Sequence, residues 1–359
     1  MASPAIELDV NGTAVRLSNP DKTYFPELGL TKRDIADYAL SVGEGLLGGL
    51  YRRPTTMERW PGGVVEGMKL ATRADGKGDA FYQKRAPAKH PSWVDTAEIT
   101  FPSGRTATAI TPTNLATVLW AVNLGTLRFH PWPVSAPEVD LVDQLRLDLD
   151  PQPGTDFSDV VAAALELREV LGELGLTGFP KTSGGRGLHV FCAVEASEFV
   201  AARHAAIAIG RELARRLPDQ VTVEWWKELR GERVFIDFNQ MARDRLMASP
   251  YSIRPVPTAR VSAPLTWDEV PKVHPDDFTV LTMPERFAEH GDLWSELYEA
   301  PPASLDAAVA LYERFAEQGE GEMPYPPEYP KMPGEPPRVQ PSRQTKPDAE
   351  YSAPPVQPE

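Results

Sequence analysis

Hydrophobic positions recur along this chain with two different periods. In QLRLDLDP, Leu145, Leu147 and Leu149 alternate with Gln144, Arg146, Asp148 and Asp150, a period of two that predicts a core strand over 144–149, closed by Pro151. Residues 188–194 and 233–238 read as two further core strands, and AEITFPSGRTATAI reads as a hairpin turning at Pro102-Ser103-Gly104. Helical periodicity runs from Phe157 to Leu174 and from Thr113 to Leu124. A third helix is signalled at Thr31, where Thr31 and Asp34 form a variant capping box ahead of Ile35, Tyr38 and Ala39. Residues 267–318 read as helical with short loops, the last helix lying in 301–320. Strands alternating with helices place the chain in the α/β (α+β) class.

The last segment differs. Residues 321–359 hold 12 prolines in 39 positions and almost no aliphatic side chains, a composition that cannot offset its own ordering entropy. An extended, disordered tail is the expectation, serving as a tether or binding a partner through polyproline segments.

Composition narrows the class further. With 359 residues and 42% hydrophobic content, the chain can bury a substantial core. No run of eighteen apolar residues occurs, and MASPAIELDVNG lacks the basic start and apolar stretch of a secretory signal, so a cytoplasmic protein without membrane contact is expected. The one cysteine, Cys192, lies in the apolar run LHVFCAV and reads as a small buried side chain. Net charge is −14, which argues against a protein that grips nucleic acid over its whole surface. Residues 181–260 nevertheless carry 13 Lys+Arg against 9 Asp+Glu, and the candidate chemistry falls in and beside this basic block.

Period two puts Asp148 and Asp150 on one face of a strand end. Neighbouring carboxylates there suit divalent ions, which prefer hard oxygen ligands and can clamp the oxygens of a phosphoryl transfer. Asp-x-Asp is equally met at solvated strand ends whose aspartates cap a turn. A third carboxylate, Asp237, interrupts the apolar run RVFIDFNQ, and a charge there calls for a cation or for Arg230 or Arg233 as partner. Between them lies Ser183-Gly184-Gly185-Arg186-Gly187, entered from one strand and left into another at His189. Its glycines allow close approach of an anion, and Ser183, Arg186 and His189 offer donors to phosphate oxygens. It lacks the spacing of a Walker loop.

Taken together, NPDKTYFPELGLTKRDIADY, FYQKRAPAKHPSW, PTNLATVLWAVNLGTLRFHPWP, LRLDLDPQPG, KTSGGRGLHVF, KELRGERVFIDFNQ and YSIRPVPTARVSAPLTWDEV resemble the polymerase domain of bacterial DNA ligase D and the free-standing Prim-PolC proteins, within the archaeo-eukaryotic primases. The resemblance covers roughly residues 10–300 in consistent order. It implies a primase-polymerase fold in which an RRM-like catalytic sheet packs beside a second sheet and flanking helices. Residues 1–300 would form the catalytic domain, about 1–125 facing DNA and about 126–300 carrying the chemistry. The implied metal ligands are Asp148, Asp150 and Asp237, holding two Mn2+ or Mg2+ ions. Ser183, Arg186 and His189 would grip an incoming NTP or dNTP, with Arg230 and Arg254 adding charge, His130 at the sugar and Gln240 close by. Lys22 and Lys32 match lysines that receive a downstream 5′-phosphate, and Phe81-Tyr82 match an aromatic pair that stacks on template bases.

The implied activity is addition of nucleotides, ribonucleotides often favoured, to primer 3′-ends at gapped or broken DNA during repair. A nucleoid setting and repair partners such as a ligase or Ku follow from the same resemblance. Two departures stand out: Arg186 occupies a position where lysine is common, and the stretch from Trp60 to Phe81 is longer than in the ligase-linked domain. Arg73-Ala74-Asp75-Gly76 is superficially similar to the ligase Lys-x-Asp-Gly motif, but arginine is unsuited to forming a lysyl-adenylate, so polymerisation without sealing is expected. The competing readings are a non-catalytic module that binds DNA ends or gaps and a transferase that uses free nucleotide without DNA.

Overall fold

The structure, a computed structural model, describes residues 4–71 and 78–325. Two five-stranded sheets carry the architecture. The first runs in the order Phe179–Thr182, Leu188–Glu198, Leu141–Pro151, Val234–Ile236, Val221–Thr222, antiparallel except for the last pair. Its central strand, Leu141–Pro151, buries Leu145, Leu147 and Leu149 completely on one face, and Gln144 and Arg146 on the other face are buried too, so that face opens to solvent at its Asp148–Asp150 end. Helices Phe157–Glu173 and Phe199–Arg216 pack against this strand. The expected strands at 144–149, 188–194 and 233–238 all lie in this sheet.

The second sheet is built around Thr55–Arg59, which pairs with Phe81–Gln83, with Thr126–Pro131 and, through Thr55, with Thr106–Ile110. Thr96–Thr100 closes it as the other arm of the expected hairpin. Cys192 is fully buried in the first sheet, and burial pushes its thiol up to about 12. Among the described residues no helix is long and apolar enough to cross a membrane.

Three differences from the sequence reading have physical reasons. The N-terminal hairpin Ala5–Val10 and Thr13–Ser18 was not foreseen, since its first strand alternates one exposed position with one partly covered position rather than burying a full apolar face. Helix Phe199–Arg216 was also missed. It buries residues all round, including Arg203 and Arg211, because it lies between the sheet and the chain's own C-terminal segment, so no polar stripe marks its period. The third concerns the tail. Residues 321–325, expected to open it, pack against that helix: Tyr325 is 3% exposed, and the Arg211 guanidinium donates to the carbonyls of Glu320 (2.5 Å) and Gly321 (2.6 Å). Positions 326–359, and the Arg73–Gly76 tetrapeptide, lie outside the described residues.

Helix Lys32–Ser41 begins as its sequence suggests. The Thr31 hydroxyl accepts from the Asp34 amide, and Asp34 accepts from the Thr31 amide at 2.6 Å and from the Thr31 hydroxyl at 2.7 Å. Thr31→Ala removes one half of this box and is expected to lower stability by about 1 kcal/mol, read from the midpoint of urea unfolding at unchanged slope.

Candidate functional site

Register brings the distant carboxylates together. Leu149 pairs with Ile236, so the next position along, Asp237, falls opposite Asp148, and the Asp237 amide donates to the Asp148 carbonyl at 3.1 Å. Asp150, two residues beyond Asp148 on the same face, is exposed. Burial, then the charges of Asp237 and Asp150, push the Asp148 carboxyl well above the usual range; burial also raises that of Asp237. Among the described residues no lysine or arginine forms an ion pair with any of the three. Instead a single neutral amide, Gln240 Nε2, donates to Asp237 Oδ2 at 3.0 Å and to Asp148 Oδ2 at 3.3 Å.

Crowded carboxylates, with cations such as Arg230 and Arg245 near but not ion-paired to them, are what a divalent cation relieves. Among the described residues no three His, Cys, Asp or Glu side chains are placed so as to hold a metal ion between them. An open acidic edge of this kind fits a hard cation that completes its shell with water and substrate oxygens.

The glycine-rich turn faces this edge across one strand pair. Ser183 Oγ accepts from the Gly185 (3.0 Å) and Gly187 (3.2 Å) amides, which folds the turn and leaves the hydroxyl proton free to donate outward. Gly187 has no room for a side chain, since a Cβ would stand 2.2 Å from the Leu149 carbonyl, between the two strand aspartates. Arg186 is exposed and donates to the Pro151 carbonyl at 2.9 Å. Arg254 lies against the turn, 3.0 Å from where a Gly185 Cβ would be, and Arg260 donates to the Gly185 carbonyl at 3.3 Å.

His189 sits opposite Asp148 in the strand register and opposite Lys181 on its other side. Its Nε2 is 3.4 Å from Asp148 Oδ1, and its Nδ1 is 2.7 Å from Lys181 Nζ. Burial, followed by the Lys181 and arginine charges, holds the His189 ring well below its usual value. Burial lowers the Lys181 amine well below its ordinary value; where Lys181 donates to Nδ1, the proton of the neutral ring rests on Nε2, towards Asp148.

Arg230 belongs to the acidic side rather than to the glycine turn. Its guanidinium stacks on Phe235 with Cζ 3.5 Å from the ring centre, donates to the Glu224 and Trp225 carbonyls and reaches Gln152 Oε1 at 3.4 Å. His130 is almost fully buried. Its Nε2 meets Glu58 Oε2 at 2.9 Å, its Nδ1 has no partner, and Tyr82 sits edge-on at 5.6 Å.

Strand alternation divides the remaining residues. Glu58 pairs in register with Arg128 and Tyr82, and its carboxylate takes an ion pair from Arg128 at 3.2 Å on the His130 side. Burial would raise Glu58, but His130 and Arg128 offset this and hold it at about 2. The next residue, Arg59, faces the other way, with Phe81 5.0 Å from its guanidinium. Phe81 and Tyr82 therefore project to opposite faces rather than forming a tandem platform. On the Arg59 side, Lys32 is 5% exposed and donates to the Ser18 carbonyl (2.8 Å) and to Asn123 Oδ1 (2.9 Å). Burial, then the charges of Lys22 and Arg59, lower its amine to about 8. Lys22 Nζ donates to the Pro61 carbonyl at 2.5 Å.

Lys181, Arg128, Glu58 and Arg59 escaped the sequence reading. A lysine inside the apolar strand FPKT, and an arginine two positions before His130, were the available signals.

Comparisons with known proteins bear on the family and the fold. The family described as "LigD, primase-polymerase domain" matches residues 31–294. The multifunctional non-homologous end joining protein LigD of Mycolicibacterium smegmatis is 30% identical over 88% of this chain and 40% of its own length; the Bacillus subtilis bifunctional LigD is 28% identical over 80% and 44%. The chain thus spans about two fifths of these curated relatives. Among solved structures, the polymerase domain of Mycobacterium tuberculosis ligase D in complex with DNA superposes with a TM-score of 0.71 at 30% identity, over 80% of this chain and 98% of that one.

Gly187→Ala is expected to cost about 1–3 kcal/mol, because its methyl meets a fixed strand carbonyl. Gly172→Ala, in a helix with open space around it, is expected to gain about 0.5–1 kcal/mol. Urea unfolding of the two variants checks both signs.

Proposed function

The chain belongs to the LigD primase-polymerase family, and on that premise we propose that it is a template-directed nucleotidyltransferase extending primer 3′-ends at short gaps or breaks in DNA. In this reaction the primer 3′-oxygen bonds to the α-phosphorus of an NTP or dNTP as the bond to pyrophosphate breaks. One observation carries the reading: Asp237 is bonded by its amide to Asp148, and this acidic pair faces a turn walled by Arg186, Arg254 and Arg260.

Asp148, Asp150 and Asp237 would hold Mn2+ or Mg2+, which supplies charge neutralisation for the attacking and departing oxygens. The chain's own residues orient the substrate. Ser183, Arg186 and Arg254 offer donors to the triphosphate, Lys181 fixes which nitrogen of His189 carries a proton, and Arg230 balances the acids from behind. Gln240 would yield its double hydrogen bond when a cation arrives. His130, enclosed and held by Glu58 through Nε2, would stand beside the sugar.

Lys22, Lys32 and Arg59 form a second cationic cluster with no carboxylate bound to it among the described residues, the chemistry of a receptor for a downstream 5′-phosphate. Phe81 would lie beside that phosphate and Tyr82 beside the nucleotide. The LigD relatives are named for end joining, which supports work on broken DNA; a nucleoid setting and a ligase or Ku as a further partner belong to the same proposal. The DNA-facing part would span about residues 1–125 and the chemical part about 126–300.

Fluorescent-primer extension on a gapped duplex with Mn2+ tests the reaction; binding of the duplex without extension is the result of a non-catalytic module. Asp148→Ala and Asp237→Ala are expected to abolish extension while the metal-free protein unfolds at no lower urea concentration, since each removes repulsion along with a ligand.

The Lys32 amine gives a pH test. Its folded value of about 8 lies below the ordinary lysine value, so without phosphate it loses its proton as pH rises through 8, and a phosphate must rebind that proton. The advantage that a downstream 5′-phosphate gives over a 5′-hydroxyl is therefore expected to shrink steadily between pH 7 and pH 9. Lys32→Arg, which does not titrate there, is expected to flatten the profile.

A further inference from the structure

Residues 320–325 lie beyond the matched stretch 31–294, yet they reach the acidic edge through a short chain of hydrogen bonds. Arg203, on the buried face of helix Phe199–Arg216, is the junction. Its Nη2 donates to the carbonyls of Met323 (2.9 Å) and Pro324 (3.1 Å), and its Nη1 pairs with the Glu322 carboxylate. Its Nε donates to Asn239 Oδ1 at 3.0 Å, and Asn239 Nδ2 donates onward to the Pro324 carbonyl at 3.1 Å. Arg203, Asn239 and the Pro324 carbonyl thus close a ring. The backbone N–H of the same Asn239 donates to Asp237 Oδ1 at 3.0 Å.

Glu322 fastens the other end. It also receives His204 Nε2 at 2.7 Å, and His204 stacks on Tyr312 of helix Asp306–Glu317 with ring centres 3.9 Å apart. The Arg203 guanidinium lies between aromatic faces, 4.6 Å from the centre of Tyr325 and 5.4 Å from that of Phe238, the residue next to Asp237. Asp237 leaves its strand after Ile236 and opens a single turn, Phe238–Met241, so its carboxylate depends on how that turn is held.

We infer that the segment Glu320–Tyr325 is a positioning strap for the metal-binding carboxylate Asp237, acting through Arg203 and Asn239. The inference rests on the assignment of Asp237 as a metal ligand. Groups behind a metal ligand that fix its orientation commonly change metal affinity by an order of magnitude when lost. The strap does not touch the glycine turn or the Lys22–Lys32 cluster, so nucleotide and DNA binding are outside its reach.

The test uses full-length protein and two readouts: Mn2+ binding without nucleotide, followed by the loss of the free-ion paramagnetic resonance signal, and primer extension. Glu322→Ala is expected to weaken Mn2+ binding and lower kcat by about tenfold each, with the KM for nucleotide and the Kd for gapped duplex unchanged. Glu322→Gln, which can still accept from Arg203, is expected to recover most of both. Arg203→Lys keeps the charge but cannot hold Asn239 and the strap together, so it is expected to reproduce the loss; it decides the matter if Glu322→Ala does not fold. Arg215→Ala, at the exposed entrance of the strap, is expected to behave as the parent protein. Wild-type Mn2+ affinity in a folded Glu322→Ala or Arg203→Lys variant overturns the strap, as does an equal loss in Arg215→Ala. Failure of the parent protein itself to bind Mn2+ would instead sink the assignment of the aspartates.

Discussion

The structure is organised around an electrostatic conflict at one strand end. Two carboxylates from adjacent strands, Asp148 and Asp237, are held near each other away from solvent with the exposed Asp150 close by, and for the buried pair desolvation acts against the charged form in the folded state. A sheet can impose this because its register is set elsewhere, by the fully buried Leu145, Leu147 and Leu149 on the opposite face of the same strand. The apolar face fixes the position, and the polar face bears the unfavourable consequence. Gln240 softens the conflict with one shared amide without removing it.

The cationic side mirrors this arrangement. Arg128, Arg254 and Lys181 crowd one another, and burial lowers Lys181 and Arg254. Among the described residues, Arg128 is the one of these three that makes an ion pair with a buried carboxylate, Glu58. Opposed acidic and basic edges, each short of countercharge, are complementary to a substrate that carries phosphate and brings its own cation. One residue of strand then separates two environments: Glu58 looks towards Arg128 and His130, and Arg59 towards Phe81 and Lys32.

Much of this was legible in the amino-acid order, for identifiable reasons. The strand bearing Asp148 and Asp150 announces itself because its leucines alternate with polar residues, and the capping box at Thr31 because hydrogen-bond chemistry there is local. The family resemblance, carried by seven short blocks, agrees with the match to residues 31–294 and with the superposition on a ligase D polymerase domain. What stayed hidden was long-range. Helix Phe199–Arg216 lacks a polar face because two partners cover it, and Lys181 went unread because its partners, His189 and Ser262, meet it only after folding. Proline content hid the packing of residues 321–325 for a related reason: a segment poor in aliphatic groups can still be ordered by arginines that seek carbonyl oxygens.

Cys192 has a practical consequence of another kind. It is the chain's one sulfhydryl, wholly enclosed and with ionisation suppressed, so it is inert towards maleimides and alkylating labels in the native protein. A second cysteine engineered on the surface can therefore carry a fluorophore or spin label alone, with no need for a cysteine-free background, and distance measurements can follow how the two sheets respond when DNA is added.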